Sequence, residues 1–403
     1  MIQTSEQLTE VREAHRFDEG TLDRYLEENL EGYRGPLRVR QFEGGQSNPT
    51  YLLSAASGDY VLRKKPPGRL LPRAHMVERE YRILAALSAT DVPVPKVHLL
   101  CESPDVVGTP FFIMDYVRGR LLREPTLPGM KPAERRAIYE EIVRVLASLH
   151  AVDYEAIGLG DYGRPGNYFG RQISRWSQQY EASKTREIAS MDRLMKWLPE
   201  NIPGDDTSCI VHGDYRLDNL VLAADEARVS AVLDWELSTI GHPLADLAHG
   251  CAHYYISIAN QPALAGTAGG DGAVGAAGGD GAVDSTSGDG ADDTAGGDCV
   301  DNTGDGAVET GAGIDEDSIT NSGIPTEREY VETYCRFTAR SGVPDWNFYL
   351  AFVIFRYAGI AQGVYKRWLQ GNASSQEAMS LGDIVEIASD KAWEIAQRPE
   401  IDS

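Results

Sequence analysis

From Leu37 the apolar and polar positions follow a strand-like period. LRVRQFE precedes a GGQSNP turn cluster, and TYLLS, a Ser57-Gly58-Asp59 turn and YVLRK come next, which predicts an antiparallel meander. In HMVEREYRILAAL the residues Val77, Tyr81, Leu84, Ala85 and Leu87 fall near helical spacing, so a helix follows the third strand. A Pro-rich VPVPKV connection leads to two further strands, the second being the apolar run PFFIMDYV. Five strands and one helix make a small α+β lobe. After Pro132 the period becomes helical. Ile138, Ile142, Val145, Leu146 and Leu149 lie at i, i+4, i+7, i+8 and i+11, one buried face. Short strands are expected in CIVHGD, NLVL and VSAVLDW, and helices from Pro243 onward. The apolar stretch Tyr349 to Tyr365 is interrupted by Arg356 and is shorter than the roughly 20 residues of a membrane span. It reads as a buried helix.

Charge changes this picture in one place. The 403 residues carry −23, and 13 of the acidic residues, with no Lys or Arg and with 17 of the 41 glycines, lie between Gln261 and Pro325. Low hydrophobicity and high charge cannot repay the entropy of ordering, so 261–323 reads as a surface insertion. Its two AGGDGAV copies, at Ala268–Val274 and Ala277–Val283, do not match a calcium β-roll pattern. An acidic chain argues against a nucleic-acid backbone or an anionic membrane surface as partner. Five widely spaced cysteines without a CxxC pair, and an N-terminus without an apolar run, point to a cytoplasmic protein with reduced thiols.

The chemistry concentrates in Val211-His212-Gly213-Asp214-Tyr215-Arg216-Leu217-Asp218-Asn219, followed twenty residues after Asp214 by Leu233-Asp234-Trp235-Glu236. An isolated His-x-Asp often only caps a loop. An aspartate five residues before an asparagine, ahead of a second strand ending in Asp, supplies what phosphoryl transfer requires. One carboxylate takes or orients the acceptor proton, while an amide oxygen and a second carboxylate hold Mg²⁺ on the ATP phosphates. HGDYRLDN with VLDWE and GHPLADLA resembles the aminoglycoside phosphotransferase / choline kinase family, which has the two-lobed protein-kinase-like fold. FEGGQSNPTYLL, YVLRKKPPGRLLPRAH, EREYRIL, FFIMDYVRGR and YLAFVIFRYAGIAQGVYKR resemble the branch found alone in bacteria and fused to acyl-CoA dehydrogenases elsewhere. The resemblance implies that Asp214 is the catalytic aspartate, that Asn219 and Asp234 bind Mg²⁺, and that His212 and Arg216 support the loop. It divides the chain into a nucleotide-binding lobe, 1–117, and a helical catalytic and acceptor-binding lobe, 118–403.

The first lobe is then expected to hold ATP. Gly44, Gly45, Ser47 and Asn48 form a small-residue turn whose backbone N–H groups can approach phosphate, although such a turn is also an ordinary hairpin. Val61 and Arg63 share one strand face, so Arg63 stands where kinases place lysine, with Glu80 as its natural partner and Lys64 on the other face. Glu78 is expected in solvent. The backbones of Asp115 and Val117, at the end of the apolar strand, resemble the adenine-reading hinge. Arg63, Lys64, Lys65, Arg69, Arg73, Arg79 and Arg82 against Glu78 and Glu80 make a local +5, read either as an exposed face or as a cationic rim for phosphates.

Two competing sites are weaker. His242, Asp246, His249 and His253 have the spacing of one helical face and could hold a transition metal, but the resemblance has Asp where His242 stands and makes Asp246 a brace for the loop after the metal-binding Asp. Ser47 lacks the strand-Ser-helix context of a hydrolase nucleophile. The expected function is an ATP- and Mg²⁺-dependent small-molecule kinase acting on an acceptor hydroxyl, for which a hydroxyacyl-CoA is one candidate. The alternatives are a non-catalytic nucleotide-binding module, or a kinase for an aminoalcohol or aminoglycoside-like acceptor. A protein kinase lacks support, since no activation segment follows Asp234. No protein partner is evident.

Overall fold

The computed structural model describes residues 8–43, 48–67, 75–256, 319, 321–370 and 381–399. Its N-terminal lobe is a six-stranded antiparallel sheet in the order β1-β2-β3-β4-β6-β5, made of β1 (Leu8–Thr9), β2 (Arg38–Phe42), β3 (Thr50–Ala55), β4 (Gly58–Lys64), β5 (Val97–Cys101) and β6 (Phe111–Asp115). The meander and the later pair match expectation; β1 is an addition. Both faces are covered, which explains why β6 reads as a continuous apolar run rather than an alternation. Val61, Phe112 and Met114 pack toward α2 (Val77–Leu87) and the second lobe. Leu62, Phe111 and Ile113 pack on the other side, under a helix the hydrophobic pattern did not reveal, α1 (Glu19–Asn29). That helix shows only Leu22 and Leu26 fully buried among acidic residues, and Asp18 caps it by accepting from the Gly20 and Thr21 N–H groups.

The C-terminal lobe is built on α3 (Pro132–His150), whose buried face includes Ile138, Ile142, Val145, Leu146 and Leu149 as the periodicity requires. Around it lie α4 (Tyr168–Ser183), α5 (Ala189–Glu200), α6 (Pro243–Cys251), α7 (Glu327–Thr338), α8 (Trp346–Leu369) and α9 (Leu381–Ala396). Helix α8 spans 24 residues and is long and apolar enough to cross a membrane by composition, but 89% of that window is buried inside the protein. It packs on α9, α4 and α6 as the hub of the lobe.

Two short ladders position the motif residues. Strand β8 (Cys209–Val211) pairs antiparallel with β11 (Thr239–Gly241), and β9 (Leu220–Leu222) is central in a second ladder, between β10 (Val229–Val232) and β7 (Arg120–Leu121). The His212–Asn219 loop therefore leaves one ladder and enters the other, while Asp234 sits in the return connection. The Leu233 N–H donates to Asn219 O at 2.8 Å and closes the arrangement.

Candidate active site

Gly213 lets the loop turn. Its φ is +82°, and a Cβ there would lie 2.8 Å from Leu237 O, so a side chain would meet both strain and backbone. Around it the backbone is held by buried side chains. Asp246, 1% exposed, accepts from the His212 N–H at 2.6 Å and the Gly213 N–H at 2.9 Å. Burial opposes its ionisation, yet His150, 3.5 Å away, and His212 hold it below the usual carboxylate range. Asp246 thus braces the loop before Asn219, not the loop after Asp234 that the resemblance implied. His212 donates Nε2–H to Leu233 O at 2.9 Å, which leaves Nδ1 to accept the Asp214 N–H at 3.2 Å.

Asp214 is gripped on both oxygens. His249 Nε2 lies 3.1 Å from Oδ1, and Asn219 Nδ2 donates to Oδ2 at 3.0 Å and to the Asp214 carbonyl at 2.9 Å. Burial alone would raise this carboxyl; the His249 hydrogen bond and the charge of Arg216 outweigh it and hold the group well below the usual range. Arg216 itself forms a forked ion pair with Asp218 and keeps its charge.

Across the cleft, Arg63 joins the two lobes. Its Nε lies 2.9 Å from Glu80 Oε2, and its Nη2 lies 2.6 Å from Asp234 Oδ1 and 3.5 Å from Glu236 Oε2. Glu80 is pushed up, by burial first and then by the Asp234 charge, against the pull of Arg63. Asp234 adopts φ 62° and ψ 62°, a left-handed conformation an aspartate tolerates better than bulkier residues. Asn48, 1% exposed, donates to Glu236 at 3.4 Å and so links the N-terminal turn to the same cluster. Gly44, Gly45 and Ser47 lie outside the described residues.

Even with Glu80 pushed toward its neutral form, Asp234 and Glu236 against one guanidinium leave the cluster with an excess of negative charge, which a divalent cation would offset. The donor chemistry fits Mg²⁺. Asn219 spends its NH₂ on Asp214, so its amide oxygen remains as a hard ligand, and Asp234 supplies a carboxylate. Among the described residues no group of three or more His, Cys, Asp or Glu is disposed to hold a metal. The weaker His242/Asp246/His249/His253 alternative is dispersed. His242 caps α6 by accepting the Leu244 N–H at 3.3 Å, Asp246 holds backbone, and His249 holds Asp214.

The hinge and the basic strip need correction. The Asp115 N–H donates to Lys96 O at 2.8 Å within the sheet and is already engaged, so of its backbone groups only the carbonyl stays a candidate for adenine; Val117 follows two residues beyond β6, half-buried. Lys64 is buried on the opposite face from Arg63, donating to Val107 O at 2.6 Å. Lys65 pairs with Glu78 at 2.5 Å, so Glu78 is not simply solvated. Arg79 donates to Ser238 O at 3.1 Å and lies over the Tyr162 ring at 3.7 Å, and Arg82 pairs with Asp161 and donates to Gly158 O at 2.8 Å. The described members of the +5 strip are tie-bars between elements; Arg69 and Arg73 lie outside the described residues. A local charge count does not reveal this because, apart from Glu78 and Glu80, the partners are distant in sequence.

The model of the phosphotransferase enzyme family APH matches residues 38–279. The chain belongs to that family. A Ralstonia eutropha protein provisionally described as an aminoglycoside phosphotransferase is 43% identical and superposes with a TM-score of 0.76, covering 95% of this chain and 99% of that one. Mouse acyl-CoA dehydrogenase family member 10 is 40% identical over 389 residues, 96% of this chain and 32% of that protein. The chain spans less than half the length of the acyl-CoA dehydrogenase relatives it matches. A thermostable mutant of an aminoglycoside phosphotransferase, in ternary complex with AMP-PNP and hygromycin B, shares the fold at 15% identity, with a TM-score of 0.53 over 94% of this chain and 98% of that one.

Within this phosphotransferase two site residues escaped the sequence reading. His249 was visible only as part of a metal-like spacing. Arg356, seen as the charge interrupting an apolar helix, donates to Gly213 O at 2.9 Å while lying 5.6 Å from the Trp176 ring centroid. A lone arginine inside a buried helix was the signal.

Proposed function

We propose that the protein transfers the γ-phosphoryl group of ATP to a hydroxyl of a small acceptor, with Asp214 orienting that hydroxyl. The observation that carries the reading is the convergence of Asp214, Asn219 and Asp234 through the two ladders, opposite the Arg63–Glu80 pair. The fold neighbour with bound AMP-PNP supports ATP as donor. The acceptor oxygen attacks the γ-phosphorus, the bond to the bridging oxygen breaks, and ADP leaves with its electron pair. The acceptor proton passes to Asp214 and then to solvent. A carboxylate held this far below its ordinary range is a weak base, so Asp214 chiefly aligns the hydroxyl and takes the proton late, as a loose transition state permits. Mg²⁺, held by Asn219 and Asp234, would neutralise charge on the phosphates. Arg63, fixed by Glu80, orients the donor.

For the acceptor we favour a hydroxyacyl-CoA, whose hydroxyl becomes a better leaving group for elimination once phosphorylated. Kinship with proteins named acyl-CoA dehydrogenases supports this choice. The test is ADP release and phosphoester formation with 3-hydroxyacyl-CoA esters and with choline and ethanolamine. Asp214→Asn is expected to lower kcat by about 10³-fold while AMP-PNP affinity stays within about threefold. Near-normal turnover by that variant refutes the role of Asp214, and no turnover of any CoA ester refutes the acceptor.

A further inference from the structure

Between Trp346 and Tyr365, Arg356 is the only charged residue of α8. Among the described residues it has no carboxylate partner: its Nη2 donates to Gly213 O at 2.9 Å, and its guanidinium lies 5.6 Å from the Trp176 ring centroid. A fixed cation packed into the hub of an apolar lobe ordinarily takes an anionic partner. Arg356 is spent on one carbonyl. The same helix shows that a carbonyl can be held without charge, since Gln362, 1% exposed, donates its neutral amide to Ser183 O at 2.9 Å. The partner, not the helix, sets Arg356 apart.

That partner is the peptide that leads into Asp214. A peptide plane turns through ψ of the residue before it and φ of the residue after it, and the residue before it here is a glycine, which restricts ψ least. Asp246 holds the N–H groups of His212 and Gly213, which belong to the two preceding peptides, and does not fix this one. The plane itself is held at both ends. Its N–H, from Asp214, donates to His212 Nδ1 at 3.2 Å, and its carbonyl, from Gly213, accepts from Arg356. The second bond is shorter and charge-assisted, so it is the stronger restraint. Without it, any rotation at ψ of Gly213 that φ of Asp214 does not fully compensate moves the carboxylate off His249 and Asn219.

We propose that Arg356 is a positioning residue for phosphoryl transfer: it locks the Gly213–Asp214 peptide and thereby aims the Asp214 carboxylate at the acceptor hydroxyl. It acts on the transfer step and not on nucleotide binding, because its reach is to the catalytic loop, whereas Arg63, Glu80 and Asp234 form a separate cluster. This rests on the phosphoryl-transfer reading above and adds the hub helix of the second lobe to its machinery.

The test follows ADP release with 3-hydroxybutyryl-CoA, with choline and, where neither is used, with water as acceptor. Arg356→Met, which keeps bulk but no donor, is expected to lower kcat about 30-fold, the scale of one hydrogen bond to a charged group, with the KM for ATP and the AMP-PNP affinity within about twofold. Arg356→Lys restores a charged donor and should recover most of that loss. Arg356→Ala opens a space walled by Trp176, so about 50 mM guanidinium should raise its kcat about fivefold while leaving wild type and Asp214→Asn unchanged. Gln362→Met is the control for a carbonyl bond that serves packing alone, with a lower urea midpoint and an unaltered kcat. Wild-type kcat in Arg356→Met, a loss shared equally by kcat and AMP-PNP affinity, or a loss that neither lysine nor guanidinium relieves overturns the proposal and leaves phosphoryl transfer standing. If the alanine and methionine variants do not fold, Arg356→Lys against Arg356→Gln carries the comparison: the glutamine variant is expected to lose more kcat, and equal rates overturn the proposal. Wild type that binds AMP-PNP but releases no ADP with any acceptor refutes the kinase reading and this proposal with it.

Discussion

Acidification probes two imidazoles of the α6 region, His242, which is buried, and His253, which is half-buried. Burial pushes both His242 and His253 down to about 4, from an ordinary value of 6.5. A histidine depressed in this way folds neutral and charges on unfolding. Its contribution is therefore complete above pH 6.5 and is lost as the pH falls toward 4, because only the unfolded chain takes up the proton. Integrating between pH 7 and pH 5 gives a loss of about 2 kcal/mol per histidine, about 4 kcal/mol for the pair. Glu80, pushed up, works in the opposite direction over the same window, while Asp214 and Asp246, held low, lose their contribution only at lower pH. The comparison that isolates the histidines is wild type against a His242→Asn/His253→Phe double variant, in which Asn keeps the helix cap and Glu80 is common to both proteins. Urea unfolding of each at pH 7, 6 and 5, followed by tryptophan fluorescence, should show wild type losing about 4 kcal/mol more than the double variant. A difference below about 1 kcal/mol would refute the claim that both rings are neutral in the fold.

Arg63→Lys should weaken the lobe junction by about 1.5–3 kcal/mol, since a single ammonium cannot reproduce the fork to Glu80 and Asp234; urea midpoints and AMP-PNP titration check this, and an unchanged midpoint counts against it. Gly213→Ala should cost about 2–4 kcal/mol from left-handed strain plus the contact with Leu237 O, with kcat falling as the Asp214 loop shifts; wild-type turnover and melting temperature would show that the loop tolerates a side chain.

Much of the scaffold was legible along the chain, for physical reasons particular to each element. The period of α3 and the unbroken apolar run of β6 report burial on one face and on two faces, and both appear in the structure as read. The helix α1 did not, because two buried leucines among acidic residues are too sparse a stripe to count. At the site, the spacing of Asp214, Asn219 and Asp234 stood out since all three belong to short strand ends, whose neighbours are fixed by local geometry. The basic strip misled because Lys64, Arg79 and Arg82 are satisfied by partners, Val107, Ser238 and Asp161, that no local window contains, and Arg63 adds Asp234 to its local partner Glu80.

What the sequence alone determined is the order of the elements from Leu37 onward, the two lobes and the types of chemical group available at the turns between strands. Local propensity and side-chain period act over a few residues and are written directly in the chain. Only the tertiary structure decided that His249 serves Asp214 instead of a metal, that Arg356 leaves its apolar helix to hold the Gly213 carbonyl, and that Arg63 is shared between Glu80 and Asp234. Each of these bonds depends on how separate elements pack, and a shift of an ångström or two between helices would exchange one partner for another. Side-chain charge and hydrogen-bonding capacity are properties of residues; which capacity is spent, and on what, is a property of the fold.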